Sequence, residues 1–307
     1  MDPLVLERAR NVRADLVAAA RRSALGAIAL PGQRLSLPDV TLVAVDTRSP
    51  DLALLAMAQS MTLVNFGAAV LVTRPAHGLA DVPPGLQIVT TDRVNSTGEY
   101  GQFLFTELYR YVATSHCLIV QWDGFVLDPS MWDAGFLQFD YIGPVWIGGK
   151  PGQHRVGGGG FSLRSRRLLL ALHGADLELT DSEDICLCRT YREYLETRHG
   201  IRYADESTAH RFAFELTDNR PSSFGFHGLP TLVQIMSEDE VDALLESGPD
   251  GVFTGLGGRQ LIKSAVGRGD ILLARRAFQR RIRARSLDPG DVRLWWRISR
   301  KRLFGKL

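Results

Sequence analysis

A chain of 307 residues, 45% hydrophobic and 23% charged, has an ordinary globular composition and can bury a full core as one large domain or two. Three cysteines exclude a disulfide framework, no Cys/His spacing resembles a zinc site, and no stretch approaches the roughly 20 apolar residues of a membrane-spanning helix. Net charge is +2, yet residues 275–307 hold 12 Lys/Arg against Asp288 and Asp291, so the tail carries +10 and the rest −8, which points to an anionic surface as partner for the tail alone.

Residues 3–30 read as an amphipathic helix, with Leu4, Ala9, Val12, Leu16, Ala19 and Ala20 at helical spacing, stopped by Pro31-Gly32. The apolar run after Arg22 is short and broken by Gly26 and Pro31, which argues against a signal peptide and for a cytoplasmic protein. Val40–Val45 reads as a buried strand ending at Asp46-Thr47-Arg48, and residues 51–65 as a helix. Ala68–Val72 and Leu86–Val89 read as strands, Gly101–Ala113 as a helix and Cys117–Val120 as a further strand. Short apolar strands alternating with helices indicate an α/β fold with a mostly parallel sheet flanked by helices. Ligands of such open sheets sit at the carboxyl ends of strands, which makes Asp46 and Asp123 candidates by position. Beyond the irregular stretch 121–161, Ser162–Leu172 and Glu183–Thr197 read as helices, with Cys186 and Cys188 as free thiols. After Pro230 the chain becomes helical and increasingly basic. The division expected is an N-terminal helical extension (1–38), a catalytic domain (39–235) and a basic helical extension (236–307).

Four segments carry possible chemistry. In Ile119-Val-Gln-Trp-Asp123-Gly-Phe125 an acid one step past a buried strand can hold a cation or a sugar hydroxyl, although Asp-Gly is also common turn chemistry. In Val156-Gly-Gly-Gly-Gly160-Phe-Ser-Leu-Arg164 the glycines read as opening a helix whose N-terminus would favour a phosphate, or as a flexible loop capped by Ser162. In Thr180-Asp-Ser-Glu183-Asp184 the spacing of Thr180 and Glu183 fits a capping box, which leaves Asp184 unexplained and available as a general base. In Phe224-Gly-Phe-His227-Gly a histidine between glycines can reach a site or be structural.

The order of these segments resembles glycosyltransferases of the GT-A fold, distantly the inverting β-1,3-galactosyltransferase and Fringe-type enzymes. Over about Val40–Leu229 the chain is also similar to an uncharacterised GT-A-related domain family. That match rests on Gln121-Trp-Asp-Gly-Phe-Val, Phe139-Asp-Tyr-Ile-Gly-Pro144-Val-Trp146, Gly159-Gly-Phe-Ser-Leu-Arg-Ser165, Glu183-Asp184 and Phe224-Gly-Phe-His-Gly228. The resemblance implies a Rossmann-like GT-A domain, a nucleotide-sugar donor, and a glycan or lipid-linked hydroxyl acceptor, as in polysaccharide biosynthesis. It implies a divalent cation, Mn²⁺ or Mg²⁺, held by Asp123 with His227 as a further ligand. Asp184 would take the acceptor proton, with inversion, and Glu183 would orient the acceptor or cap its helix. Gly158, Gly159 and Gly160 would lie against the donor sugar. Trp122, Trp146 or Phe161 would stack on a sugar face, Gln121 would bond to ribose or sugar, and Asp46 and Arg48 would contact base or ribose. The chain departs from the family at Gln121, where an acid is usual, and at Gly158, where the nearer family has Asn.

In the tail, Ile271, Leu272, Phe278 and Ile282 lie among six arginines, and Leu294, Trp295, Trp296, Ile298, Leu303 and Phe304 among five Lys/Arg. Basic helices with Trp and Leu suit the headgroup region of an anionic membrane, at the inner face, or a solvated face packed on the body with snorkelling arginines. Nucleic acid is not the expected partner, because no known binding motif accompanies the charge. Two other readings of the chain are a non-catalytic nucleotide-sugar or glycan-binding module and a basic-tailed scaffold. A sugar nucleotidyltransferase is disfavoured by Val45-Asp-Thr-Arg-Ser-Pro50, where that class carries a Gly-rich loop.

Overall fold

The computed structural model describes residues 34–75, 79, 81–148, 150, 152–215 and 222–304. The helix expected over residues 3–30 lies outside them. The chain divides between His227 and Gly228 into two compact units.

The first unit contains β1 (Leu35–Val45), α1 (Pro50–Leu63), β2 (Val64–Thr73), β3 (Leu86–Thr90), α2 (Thr97–Thr106), β4 (His116–Val120), β5 (Tyr141–Ile142) and β6 (Phe161–Ser165). It continues with α3 (Arg166–Gly174), α4 (Arg192–His199), α5 (Glu206–Phe212), β7 (Ala213–Glu215) and β8 (Gly225–His227). Six strands form one sheet in the order β3-β2-β1-β4-β6-β5. The first four run parallel, and β6 is antiparallel to both of its neighbours. This is the mostly parallel, helix-flanked α/β sheet that the sequence implied.

Strand alternation builds the two cores. On one face Leu42, Ala44, Leu71, Leu118 and Val120 pack with Ala53, Leu54 and Met57 of α1 and with Phe136, Phe161, Phe212 and Phe224. On the other, Val43, Val45, Val70, Val72, Cys117 and Ile119 pack with Phe103 and Leu104 of α2 and Leu169 of α3. Near-continuous apolar runs such as Val40–Val45 arise because both faces of these strands are covered.

Two expected helices are corrected. The helix read over Ser162–Leu172 is split: Phe161–Ser165 is strand β6, paired Leu118↔Leu163, and α3 starts at Arg166. Ser165 caps it, its Oγ accepting from Leu168 N at 3.0 Å. Arg164, which makes this run look like a solvated helix, is fully buried. The helix read over Glu183–Thr197 is one turn at Glu183–Ile185, a π turn at Cys186–Thr190, and then α4. The wide turn closes with Tyr191 N donating to Cys186 O at 2.9 Å and turns Cys186, Leu187 and Cys188 all inward. The thiols are free and buried. The capping box expected at Thr180 and Glu183 is also absent: the helical turn begins at Ser182, without a side-chain cap.

The second unit is helical: α6 (Leu229–Ile235), α7 (Glu238–Ser247), α8 (Asp250–Thr254), α9 (Leu256–Arg268), α10 (Ile271–Arg283) and α11 (Pro289–Phe304). Ser237 and Glu240 form a capping box at the start of α7, and Gly269, at φ 82°, ends α9 in the left-handed region. Phe253, Leu261, Ile262, Ala274, Ala277, Leu294 and Ile298 are buried in this unit, as are Arg281 and Asp291. Arg281 donates from Nε to Asp291 Oδ1 at 2.7 Å and from Nη1 to the carbonyls of Phe253, Thr254 and Gly255, satisfying acceptors that the end of α8 leaves open. Among the described residues no helix is long and apolar enough to cross a membrane.

Candidate functional site

β1 and β4 deliver Asp46 and Gln121-Trp122-Asp123 to the carboxyl edge of the sheet. Because β6 runs the opposite way, its beginning lies at that same edge. The run Gly157–Gly160 therefore meets the end of β4, with Gln121 N donating to Gly160 O at 2.9 Å. The glycines open a strand, not a helix, so no helix N-terminus stands behind them.

Each of the four glycines seats a different side chain. A Cβ on Gly157 would enter the Trp146 ring, and one on Gly160 would enter the His227 ring. A Cβ on Gly158 would lie 3.0 Å from Glu215 Oε2, and one on Gly159 would lie 3.2 Å from Asp184 Cβ and from Glu183 Oε2. The loop gathers an imidazole, three carboxylates and an indole around a stretch of bare backbone.

On the Gly160 side, β8 presents His227. Its strand pairs in parallel with β7, placing Glu215 opposite His227. The imidazole lies between carboxylates, with Nδ1 3.2 Å from Glu215 Oε1 and Nε2 3.5 Å from Asp123 Oδ1. Burial opposes charge on the ring, but Asp123 and Glu215 outweigh it and hold its pKa well above the ordinary value. Gln121 ties the group together, its Oε1 3.2 Å from His227 Nε2 and its Nε2 donating to Tyr100 Oη at 3.1 Å. Gly124 is obligatory here, since a Cβ would come 2.7 Å from Phe226 O.

On the Gly159 side, Glu183 is buried and both its oxygens face the guanidinium of fully buried Arg164, one pair through Nη1–Oε1 and the other through Nη2–Oε2 at 3.3 Å. Burial raises the Glu183 carboxyl above its usual range against the opposing pull of Arg164. Arg164 Nε also donates to Ser162 Oγ at 3.1 Å, and Ser162 Oγ donates to Gly159 O at 2.9 Å. Glu183 thereby ties the glycine loop, through Arg164 and Ser162, to the turn at Glu183–Ile185. Its neighbour Asp184 is half-buried, and its Oδ1 accepts from Ser182 Oγ at 2.6 Å and Ile185 N at 3.0 Å.

Asp46 closes the turn into α1, its Oδ1 accepting from Arg48 N at 2.8 Å and Ser49 N at 2.7 Å. Its pKa is raised by burial, against those two amides and Arg48, with Asp123 adding to the rise. Arg48 is exposed and Trp122 half-buried. Trp146 lies against Gly157, with the Arg189 guanidinium 4.3 Å from its ring centroid. Phe161 is corrected: it is fully buried among Phe212 and Phe224, with ring centroids at 5.3 and 6.1 Å, and is closed to a sugar.

Among the described residues no three His, Cys, Asp or Glu side chains are arranged to hold a metal ion. Asp123 Oδ1 and His227 Nε2 lie 3.5 Å apart and become a two-donor set only if a cation displaces the ring proton that faces Asp123 and Gln121. Adjacent ligands of an octahedral cation at about 2.1 Å lie roughly 3 Å apart, so this pair fits a cation whose remaining ligands are phosphate oxygens and water.

Tyr100, Arg164 and Glu215 escape sequence reasoning. Glu215 left one trace, since Ala213-Phe-Glu215 and Gly225-Phe-His227 share a small–Phe–polar pattern that becomes a strand pair with the tilted rings of Phe214 and Phe226 6.2 Å apart.

A family model described as "Protein of unknown function (DUF5672)" matches residues 85–227. No curated protein matches the chain. Among solved structures, the chain is similar to the mannosyltransferase PcManGT from Pyrobaculum calidifontis in complex with GDP-Man and Mn²⁺, at 11% identity and a TM-score of 0.37 over 97% of this chain and 99% of that one.

Proposed function

We propose that the first unit transfers a sugar from a nucleotide-sugar donor to a hydroxyl acceptor, with inversion. The carrying observation is the glycine loop at the carboxyl edge of the sheet, with Asp123 and His227 at Gly160 and Asp184 at Gly159. That edge is where open α/β sheets bind ligands, and the motif order resembles GT-A glycosyltransferases.

Asp123 and His227 would hold a divalent cation, which supplies neutralising charge to the departing nucleoside diphosphate. Asp184 is the half-buried carboxylate beside the loop, and it would accept the acceptor hydroxyl proton as the oxygen attacks the anomeric carbon. The bond to the diphosphate breaks as the glycosidic bond forms on the opposite face. Arg164 and Glu183 keep the loop backbone in place and touch neither substrate. Asp46 would face the nucleoside across the edge from Asp123.

A panel of nucleotide sugars and nucleoside diphosphates, each with Mn²⁺, Mg²⁺ or EDTA, tests the reading by thermal shift, because a ligand of the folded state raises Tm by mass action. The expected result is selective stabilisation by one nucleotide family, lost in Asp123→Ala. Asp184→Asn should keep the shift while turnover drops by at least about 100-fold. No shift with any nucleotide would sink the proposal. Gln121 in the place of an acid favours a second reading, a binding module without turnover; it predicts a shift in both forms and product in neither.

A further inference from the structure

The arginines of the C-terminal tail fall into two populations. Those of α10 and the turn after it are largely spent inside the unit. Arg276 pairs with Asp242, Arg280 with Asp250, and Arg281 with Asp291, while Arg285 bridges Asp288 and Asp291. On α11 the pattern reverses. Arg293, Arg297, Arg300 and Lys301 are exposed and make no ion pair among the described residues, and the acid of that helix, Asp291, is buried with Arg281 and Arg285. Arg275 and Arg283 of α10 are also exposed without an ion pair among the described residues, so the unpaired charge of the tail lies mostly, but not wholly, on α11.

That helix has three sides. At about 3.6 residues per turn, Asp291, Leu294 and Ile298 fall together, and these are its buried residues. Val292, Trp295, Trp296 and Ser299 fall on a second side, where Val292, Trp295 and Trp296 are 59%, 56% and 55% exposed. Arg293, Arg297 and Arg300 fall on the third, and the Arg300 guanidinium sits 5.1 Å from the Trp296 ring centroid. Two tryptophans left in water beside unpaired guanidinium groups do nothing for the stability of the unit. They are what an interfacial helix presents to lipid, with aromatic rings at headgroup depth and cations on the phosphates. A nucleic acid would use the cations and leave the apolar side uncovered.

We propose that α11 binds the surface of an anionic phospholipid bilayer, lying in the headgroup plane with Trp295 and Trp296 inserted and Arg293, Arg297, Arg300 and Lys301 on lipid phosphates. It lies on the membrane and does not cross it. The inference goes beyond the glycosyl-transfer reading and stands without it, because the residues belong to the helical unit and not to the glycine-loop site.

The test is flotation of the full chain with phosphatidylcholine vesicles and with vesicles that also contain phosphatidylglycerol. The expected result is binding to the mixed vesicles alone, weakened by salt. Arg293→Gln/Arg297→Gln/Arg300→Gln should lower the partition coefficient by roughly 100-fold. Trp295→Ala/Trp296→Ala should lower it by roughly 10-fold or more. These side chains are exposed, so circular dichroism and Tm should match the wild type. Brominated acyl chains in the mixed vesicles should quench the wild type and leave Trp295→Phe/Trp296→Phe unquenched, with Trp122, Trp132 and Trp146 as internal reference. Absence of flotation, or flotation indifferent to the tryptophans, overturns the proposal. So does preferential binding to a DNA duplex that the arginine variant abolishes, or a dimer-to-monomer change in the tryptophan variant without any lipid binding.

Discussion

At Gly160 a single added methyl group tests the arrangement, because its carbon would occupy the place of the His227 ring. Gly160→Ala should push the imidazole off Asp123 and Gln121, cost about 1–3 kcal/mol by overpacking, and weaken nucleotide binding by at least about 10-fold. Gly174→Ala is the control, at the last residue of α3 with open space around the new carbon, and should be neutral or slightly stabilising. Urea midpoints and nucleotide titrations of the two variants check this; equal behaviour would remove the glycine loop from the site. At this scale the sequence was partly legible. Asp123, His227 and the glycines stand out because acids after apolar runs and glycine clusters are locally unusual. Glu215, Tyr100 and Arg164 do not, since each acquires its partner only through strand register or a buried contact distant in sequence. Glu183 shows the same limit: beside Asp184 it looks like half of a catalytic pair, and nothing local foretells the contact with Arg164.

Among the elements, β6 decides the geometry of the edge, and Asp140 decides the position of β6. Its carboxylate accepts from Ser165 Oγ at 2.5 Å at the end of β6, from the Arg167 guanidinium at the start of α3, and from Arg202 N at 2.8 Å before α5. Burial pushes this carboxyl up, but Arg167, Ser165 and the Arg202 amide outweigh it and leave its pKa below the ordinary value of 3.8. A depressed carboxylate stabilises the fold above its unfolded pKa, and that stabilisation is lost as pH falls through it toward the folded value. Asp140→Asn should therefore cost about 1–3 kcal/mol at neutral pH, and the gap to the wild type should begin to narrow below about pH 5 and go on narrowing as pH falls through the depressed folded-state pKa. Denaturant midpoints across that range are the measurement, and a gap independent of pH would contradict it. Strands β1 to β4 were readable because largely apolar runs of four to six residues mark buried strands. β6 was not, because its alternation, Phe161-Ser-Leu-Arg-Ser165, spans only five residues and runs without a break into α3 at Arg166.

For the whole molecule, the two units carry separate cores, and the helical one is pinned by a charge pair. Asp291 sits below its ordinary pKa although burial alone would raise it, because Arg281 and its other donors prevail. Asp291→Ala would take from buried Arg281 its near carboxylate and leave only Asp288, 3.9 Å away, at a cost of about 3 kcal/mol to that unit. Amide exchange should then accelerate across residues 229–304 while the amides of β1 and β4 keep their protection; equal acceleration in both would show one cooperative body. The charge asymmetry of the sequence does not reveal that Arg276, Arg280, Arg281 and Arg285 pair with acids of their own unit, or that Arg293, Arg297 and Arg300 share a helix with two exposed tryptophans.

The position of His227 has a temporal meaning. The ribosome delivers Asp46 first, then Asp123, the glycines and Asp184, and the imidazole that packs on Gly160 comes as the final residue of its unit. Until that residue emerges, Gly160 lacks the ring that packs on it, and Asp123 lacks the imidazole 3.5 Å away. A chain released before His227 therefore lacks the ring that packs on Gly160 and lies beside Asp123 and Glu215.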